Sequence, residues 1–224
     1  YNTFRSENNM KIQLPKLSKK INVNNKINLA FQEVHHEETT LMSALFEKDL
    51  LEYGDYHHLE IRDCEFKHTY FDHLHLPHGY LLDVQFEGCD LSNAKFDHTL
   101  FRRVVFKDCK LSGADFSEVM LDQVLFEDCI MTYANFSSAK IKGLQFENCD
   151  LTYASMMECD LKKADFNNCN LTKSEFLHSS LYQKDISNCN IEGIMLSFDD
   201  LKGAIVSTQQ AVALSSLLGI KIKD

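Results

Sequence analysis

The chain has 224 residues, of which 44% are hydrophobic and 25% charged, and its net charge is −10. No apolar run approaches the ~18 residues that a membrane-spanning helix needs, and no signal-peptide pattern is present, so we expect a cytoplasmic protein with no membrane contact. Acidity of this size disfavours direct nucleic-acid binding. It is typical either of a protein with a basic partner or of one whose charge serves only solubility.

The first 30 residues differ from the rest, since they carry six Lys or Arg and one acid, whereas residues 31–224 have a net charge of −15. We treat 1–30 as a basic N-terminal segment. The stretch from Met10 to Leu17 is predicted to be extended and edge-like, because Pro15 cannot donate to a central strand ladder. Met10 is interpreted as the native start and residues 1–9 as a vector remnant.

From Leu41 to Leu201 every fifth residue is apolar, thirty-three times in succession, and thirteen of the sixteen Phe occupy this register. A period of five fits neither a helix nor a simple strand. If the apolar position is i, then i−2 is mostly small or apolar, while i+1 and i+2 are polar or Gly and suit a turn. Five residues therefore make one side and one corner of a coil.

A second period of twenty sets the number of sides. Phe66, Phe86, Phe106, Phe126 and their successors recur every twenty residues, with Leu or Met ladders on the sides between them. Four sides a turn predicts an all-β fold, a quadrilateral β-helix of about eight coils over residues 31–206, in which like residues stack about 4.8 Å apart.

All eight Cys lie at i−2, and six of them form one column from Cys89 to Cys189. Because a linear ladder beside Phe offers no four convergent ligands, packing is favoured over a metal or redox role. Three charged residues at i−2 break the apolar rule, namely Asp49, Lys184 and Asp199, and they suggest that the ends of the rod are looser than its middle.

The strings CDLSNAKF (89–96), CKLSGADF (109–116) and CDLKKADF (159–166) resemble the A(D/N)Lxx unit of the pentapeptide-repeat family. That resemblance implies a right-handed quadrilateral β-helix. Within the family, the strict register without inserted loops is similar to the loop-free Qnr-type members of Gram-positive bacteria, which interact with gyrase.

After Ala204 the repeat stops, and residues 207–224 are predicted to form a cap. Ser207 and Gln210 match a capping box at the start of a helix, Gly219 suits its end, and residues 220–223 alternate like a short edge strand. The resemblance to Qnr-type proteins implies a homodimer formed through this cap. The expected dimerisation residues are Leu214, Leu217, Leu218, Ile220 and Ile222.

Catalytic motifs are missing, and flat solenoid sides offer no deep pocket, so we expect a non-enzyme without cofactor or metal. The column of His58, His78 and His98 could stack imidazoles about 5 Å apart on one corner. A transition-metal site there is the alternative to a solvated corner, which is the favoured interpretation because Glu118, Ser138 and Glu158 continue the column.

Sorting the outward charges by side gives a net −6 on the side centred on the Phe ladder and +2 on the side centred on Ile61–Leu201. The Qnr-type resemblance implies a DNA mimic that binds DNA gyrase or topoisomerase IV and confers fluoroquinolone protection or inhibits the enzyme. A regular acidic ladder could satisfy a groove built for phosphates. The expected partner-binding residues are Glu87, Asp108, Glu127, Asp128, Glu147 and Asp165.

Two alternatives stay open at this point. The protein could be a rigid scaffold for another protein with no topoisomerase role, its acidity serving solubility alone. Direct nucleic-acid binding along the basic side is disfavoured by the six acids on that same side.

Overall fold

A computed structural model describes residues 11–19, 22–24 and 26–223. The repeat region winds into a parallel β-solenoid of about seven turns, close to the eight expected. The interpretation of Met10 as the start concerns residues outside the described ranges. None of the helices in those ranges has the length and apolarity required to cross a membrane.

The strands pair in parallel with a register of twenty residues, as the sequence predicted. Phe66 lies opposite Phe86, which lies opposite Phe106, and the ladder continues to Phe166. The main sheet runs in the order β1-β3-β5-β7-β8-β9-β11-β12, with β2 on β5 and β10 on β9, while β4 and β6 form a second pair. The strands are β1 Asn22–Val23, β2 Thr40–Met42, β3 Ala44–Glu47, β4 Leu50–Leu51, β5 Glu60–Lys67, β6 Tyr70–Phe71, β7 Tyr80–Glu87, β8 Leu100–Lys107, β9 Met120–Glu127, β10 Lys140–Ile141, β11 Leu144–Glu147 and β12 Ala164–Asn167.

The corners of the coil fall at i+2, where the backbone repeatedly turns left-handed. Among the described residues, twenty-five that are not glycine have positive φ, including Asp108 at 52° and Tyr133 at 61°. A left-handed residue with a side chain costs roughly 1–2 kcal/mol, so short polar residues and Gly suit these positions. The corner leaves i−2 and i facing the interior and i−1 and i+1 facing outward.

The core is a set of stacked ladders. Phe86, Phe106 and Phe126 lie nearly parallel with ring centroids 4.8 Å apart, and Phe116 meets Phe106 edge-on at 6.2 Å. These rings are at most 2% exposed. Stacked and edge-on pairs of this kind add to the burial of apolar area that holds each coil on its neighbours.

A helix that the sequence analysis did not predict, α1 (Ile27–His36), packs on the first coil. Ile27, Ala30 and Phe31 are buried, and the Phe31 ring lies 5.2 Å from that of Tyr56. The helix crosses the boundary expected at residues 30 and 31. It supplies the cover that the open end of a solenoid needs.

The C-terminal cap contains α2 (Thr208–Leu214) followed by a 3₁₀ helix over Ser215–Leu218. Both halves of the predicted Ser207–Gln210 capping box are formed, and Gly219 ends the helical stretch at φ 70°. The predicted strand over 220–223 is wrong, because these residues pair with no strand edge. A second 3₁₀ helix, Leu161–Lys163, replaces one strand segment in the solenoid.

The three charged residues at i−2 have individual explanations. The Asp49 carboxylate accepts the Ile27 N–H at 2.9 Å and so caps α1. The buried Lys184 ammonium donates to the carbonyls of Ala164 and Lys162 at 2.6 and 3.0 Å. Asp199 is exposed and pairs with Lys202 at 2.7 Å. Only Asp199 thus fits the expectation of a loose end.

Candidate functional site

The six acids predicted to bind a partner lie on one long side of the rod, the side centred on the Phe66–Phe166 ladder, which we call the acidic side. Glu87, Glu127 and Glu147 end strands β7, β9 and β11; Glu127 and Glu147 lie on successive coils, whereas Lys107 lies between Glu87 and Glu127. Asp108 and Asp128 occupy successive left-handed corners and are exposed. Asp165 is half-buried in β12. The structure therefore gathers the predicted residues on one surface.

Lysines neutralise half of these acids. The Lys67 ammonium lies 3.0 Å from Glu65 and 3.9 Å from Glu87, and Lys107 lies 3.0 Å from Glu127. Lys184 reaches Asp165 at 3.5 Å. The hydrogen bond to Glu127 raises the pKa of Lys107, so its charge persists at neutral pH.

The spacing of twenty could have revealed two of these ion pairs. Lys67 precedes Glu87 by twenty residues, and Lys107 precedes Glu127 by the same interval, so each pair occupies neighbouring coils in register. A net charge summed over a whole side does not show which of its acids are paired with lysines. Both lysines are already counted in the net −6, so the pairing leaves that total unchanged and concentrates the unpaired negative charge on the remaining acids.

Asp108, Asp128 and Glu147 make no ion pair within the described part of the chain. Asp128 accepts a hydrogen bond from the Asn148 amide at 3.0 Å, and the Asn168 amide continues this ladder to Asn148 at 2.9 Å. Glu147 accepts from Gln145 at 2.7 Å. Hydrogen bonds of this kind fix a carboxylate while leaving its negative charge available.

The basic side offers less positive charge than its lysines and arginines imply. Arg103 forms a two-pronged contact with Asp83, both distances being 2.6 Å, and Arg102 lies 3.4 Å from Asp122. These carboxylates are the neighbours that argue against nucleic-acid binding here. A nucleic-acid phosphate would have to compete with these carboxylates for the two arginines.

A contact between the basic N-terminal segment and the rod was not predicted from the sequence. Residues 11–19, the N-terminal arm, run outside the solenoid along one corner as extended chain without strand pairing. Three backbone N–H groups of the arm donate to side chains at that corner: Ser18 to Asp63 at 2.7 Å, Lys16 to Asp83 at 2.8 Å, and Gln13 to Gln123 at 2.9 Å. We call Asp63, Asp83 and Gln123 the docking column.

The histidine column stacks as predicted. The rings of His58 and His78 lie 5.2 Å apart and those of His78 and His98 5.1 Å apart, with interplanar angles of 17° and 19°. His98 also approaches Glu118 at 3.5 Å. Among the described residues, no group of three or more His, Cys, Asp or Glu side chains is arranged to hold a metal ion.

All eight cysteines are buried and free, as packing residues should be. Seven of the thiols point to a backbone carbonyl of the preceding coil, for example Cys159 to Phe136 at 3.1 Å, whereas Cys109 points to the Lys107 carbonyl of its own coil at 3.2 Å. Burial raises the pKa of Cys64 to about 12 and that of Cys159 to about 11. Thiols of this kind are poor nucleophiles.

The residues predicted to form a dimer interface lie at the C-terminal end of the rod. Leu217, Leu218, Ile220 and Ile222 are 42–56% exposed, whereas Leu214 packs partly against the core. Four exposed aliphatic side chains this close together in sequence form an apolar patch.

The comparisons with known proteins agree on the fold. A model of the pentapeptide repeat region matches residues 80–156, and a model of eight pentapeptide repeats matches residues 139–176 and 154–193, together just over half of the chain. No curated protein matches the chain.

Several solved structures match the chain at low identity. A trypsin-treated form of QnrB1, a plasmid-mediated fluoroquinolone resistance protein, is 19% identical, with 82% of this chain and 100% of that chain covered and a TM-score of 0.41. HetL, a pentapeptide repeat protein involved in heterocyst differentiation regulation from Nostoc sp. strain PCC 7120, is 16% identical over 78% and 95% of the two chains, with a TM-score of 0.33. A pentapeptide repeat protein from the Arabidopsis thaliana thylakoid lumen is 22% identical over 59% and 72%, with a TM-score of 0.31.

At these identities and TM-scores the neighbours indicate no shared partner. The repeat pattern, the parallel solenoid and the two family models together identify the chain as a member of the pentapeptide-repeat family.

Proposed function

We propose that this protein is a DNA mimic whose acidic side binds the DNA-binding surface of a type IIA topoisomerase, DNA gyrase or topoisomerase IV. The observation that carries the proposal is the set of Asp108, Asp128 and Glu147, three carboxylates on one side, without ion pairs among the described residues and held on a rigid ladder. Fixed negative charge on a rod suits a groove built to bind phosphates. The choice of a topoisomerase rests on the resemblance of the repeat strings to Qnr-type proteins.

Binding of purified gyrase and of topoisomerase IV to the immobilised protein tests the proposal. The neutralised variant carries Asp108→Asn, Asp128→Asn and Glu147→Gln. Asn already occupies the same corner column at Asn148 and Asn168, so the fold should tolerate these changes. At about 1 kcal/mol for each lost charge, affinity should fall roughly a hundredfold, with a weaker dependence on salt.

A control variant with the same loss of charge carries Glu118→Gln, Glu158→Gln and Glu192→Gln. These three acids are exposed but lie on other sides of the rod. The control variant should bind gyrase and topoisomerase IV as tightly as the wild type does. Equal binding by the wild type and the neutralised variant, or no binding of either enzyme by the wild type at micromolar concentration, would contradict the proposal.

A second candidate function is a rigid scaffold for a different protein, with no topoisomerase role. The ion pairs of Glu87 with Lys67 and of Glu127 with Lys107 favour it, because they lower the charge that a DNA mimic would present. In that case the acids contribute to solubility, and the neutralised variant should lose solubility near neutral pH without losing its partner.

We also propose that the C-terminal patch joins two copies end to end. Leu218 and Ile220 are 55% and 52% exposed at the tip of the rod, and a symmetric dimer buries one such self-complementary surface. Sedimentation analysis of the wild type should show a dimer, which would double the length of the acidic side.

A further inference from the structure

Three hydrogen bonds that hold the N-terminal arm on the rod come from its backbone and do not depend on the identity of its side chains. All three of its hydrogen bonds to the docking column use backbone N–H donors, and the acceptors are side chains of the rod. Pro15, which has no N–H, falls between the donors at Gln13 and Lys16 and so costs the contact nothing. Another extended chain could make the same three bonds.

The rod provides a shaped surface for the arm. The Arg103 guanidinium holds the Asp83 carboxylate, and the Ser43 hydroxyl donates to Asp63 at 2.6 Å. A Cβ on Gly143 would lie 2.5 Å from the Gln123 amide nitrogen, so Gly at this position makes room for the side chain that accepts the Gln13 N–H. The acceptors of the docking column are therefore fixed in place by their own neighbours.

Two apolar residues that do not belong to the core, one on the rod and one on the arm, are buried where the arm lies on the rod. Val105 points outward, since its neighbours in β8, Val104 and Phe106, belong to the core, yet it is only 7% exposed. Ile12 of the arm is 8% exposed and is also outside the core cluster. The arm crosses the coil of Val105 between its anchors at Asp83 and Gln123, so the buried outward Val105 and the arm lie on the same coil.

We propose that the docking column and Val105 form a binding site for an extended, lysine-containing peptide segment of a partner protein, and that the N-terminal arm occupies this site in cis until it is displaced. The arm shows the chemistry that the site accepts: an extended backbone, a buried apolar residue at Ile12, and the cation of Lys16 beside the Asp83 carboxylate. A tethered arm has an effective concentration of the order of millimolar, so it shields the site from weak ligands in trans. Val105 lies on the acidic side, but the proposal rests on none of the six acids predicted to bind a partner there, nor on topoisomerases.

A labelled synthetic peptide with the sequence of residues 11–19 is the probe, and fluorescence anisotropy measures its binding to the full chain. The arm-released variant carries Ile12→Asp, which removes the apolar anchor and places a charge at a buried position. It should bind the peptide at least tenfold more tightly than the wild type does. Hydrogen exchange should show the amides of Gln13, Lys16 and Ser18 protected in the wild type and exposed in the variant.

Removal of the acceptors tests the site itself. Asp63→Gly and Asp83→Gly, added to the arm-released variant, suit the left-handed corners and should weaken peptide binding at least tenfold. The matched control, Glu118→Gly and Glu158→Gly, makes the same changes at left-handed corners on another side and should leave binding unchanged. Unprotected arm amides in the wild type would overturn the proposal. So would equal peptide binding with and without the docking acids in chains whose circular dichroism shows an intact fold.

Discussion

Replacing one Phe in the middle of the ladder tests the solenoid account most sharply. The Phe126 ring is fully buried, stacks on Phe106 at 4.8 Å and on Phe146 at 5.2 Å, and meets Phe116 and Phe136 edge-on. Phe126→Ala removes the transfer free energy of the side chain and leaves a cavity between two stiff coils, which together cost about 3–5 kcal/mol. Because two stacked pairs are lost as well, we expect a value near the top of that range, about 5 kcal/mol.

Ile130→Ala is the matched control, since Ile130 lies one corner further along the same coil but is 47% exposed. Its expected cost is about 0.5 kcal/mol or less. Phe126→Leu, which keeps most of the volume, should cost about 1.5 kcal/mol. The chain has no Trp, so urea unfolding is followed by circular dichroism at a fixed protein concentration. Similar costs for Phe126→Ala and Ile130→Ala would refute the assignment of inward and outward positions.

Three further predictions follow from individual groups. Burial raises the pKa of Asp83, but hydrogen bonds from Arg103 and the Lys16 N–H outweigh it and leave the pKa lowered. Its stabilisation is therefore complete above the unfolded pKa of about 3.9 and is lost as pH falls through the lower folded value. Asp83→Asn should thus flatten the loss of stability with acid in this window, and an unchanged acid profile would argue against the contact. All eight thiols are buried in the native chain, so they should resist alkylation at pH 8 and react once urea unfolds it; rapid labelling of the folded protein would contradict the packing role. Leu218→Asp with Ile220→Asp should convert a dimer into a monomer in sedimentation, whereas an unchanged sedimentation coefficient would exclude this interface.

The sequence was sufficient to predict the elements that repeat. The period of five separated inward from outward residues, and the period of twenty gave the register in which Phe86 lies opposite Phe106. The capping box at Ser207 and Gln210 was also readable, because all of its contacts are local. Local and periodic signals suffice where each coil contacts only its neighbours.

What the sequence did not reveal depends on contacts between distant residues. The Lys26 side chain, at the N-terminus of helix α1, makes no capping hydrogen bond. The Ile27 N–H is instead bound by the Asp49 carboxylate, which lies further along the chain, so no local sequence signal marks the start of the helix. The N-terminal arm is fixed by acceptors that lie 45–110 residues further along the chain. The strand predicted at residues 220–223 was wrong because the local pattern was considered without its surroundings. An alternating pattern forms a strand only where a sheet edge is available to pair with it.

The most direct test of the proposed function is a gyrase supercoiling assay in which purified protein is titrated with and without a fluoroquinolone. The account predicts that the wild type inhibits supercoiling or restores it in the presence of the drug, and that the neutralised variant loses this effect while the control variant keeps it. The contradicting result is an effect of equal size from the neutralised variant, or no effect from the wild type up to micromolar concentrations.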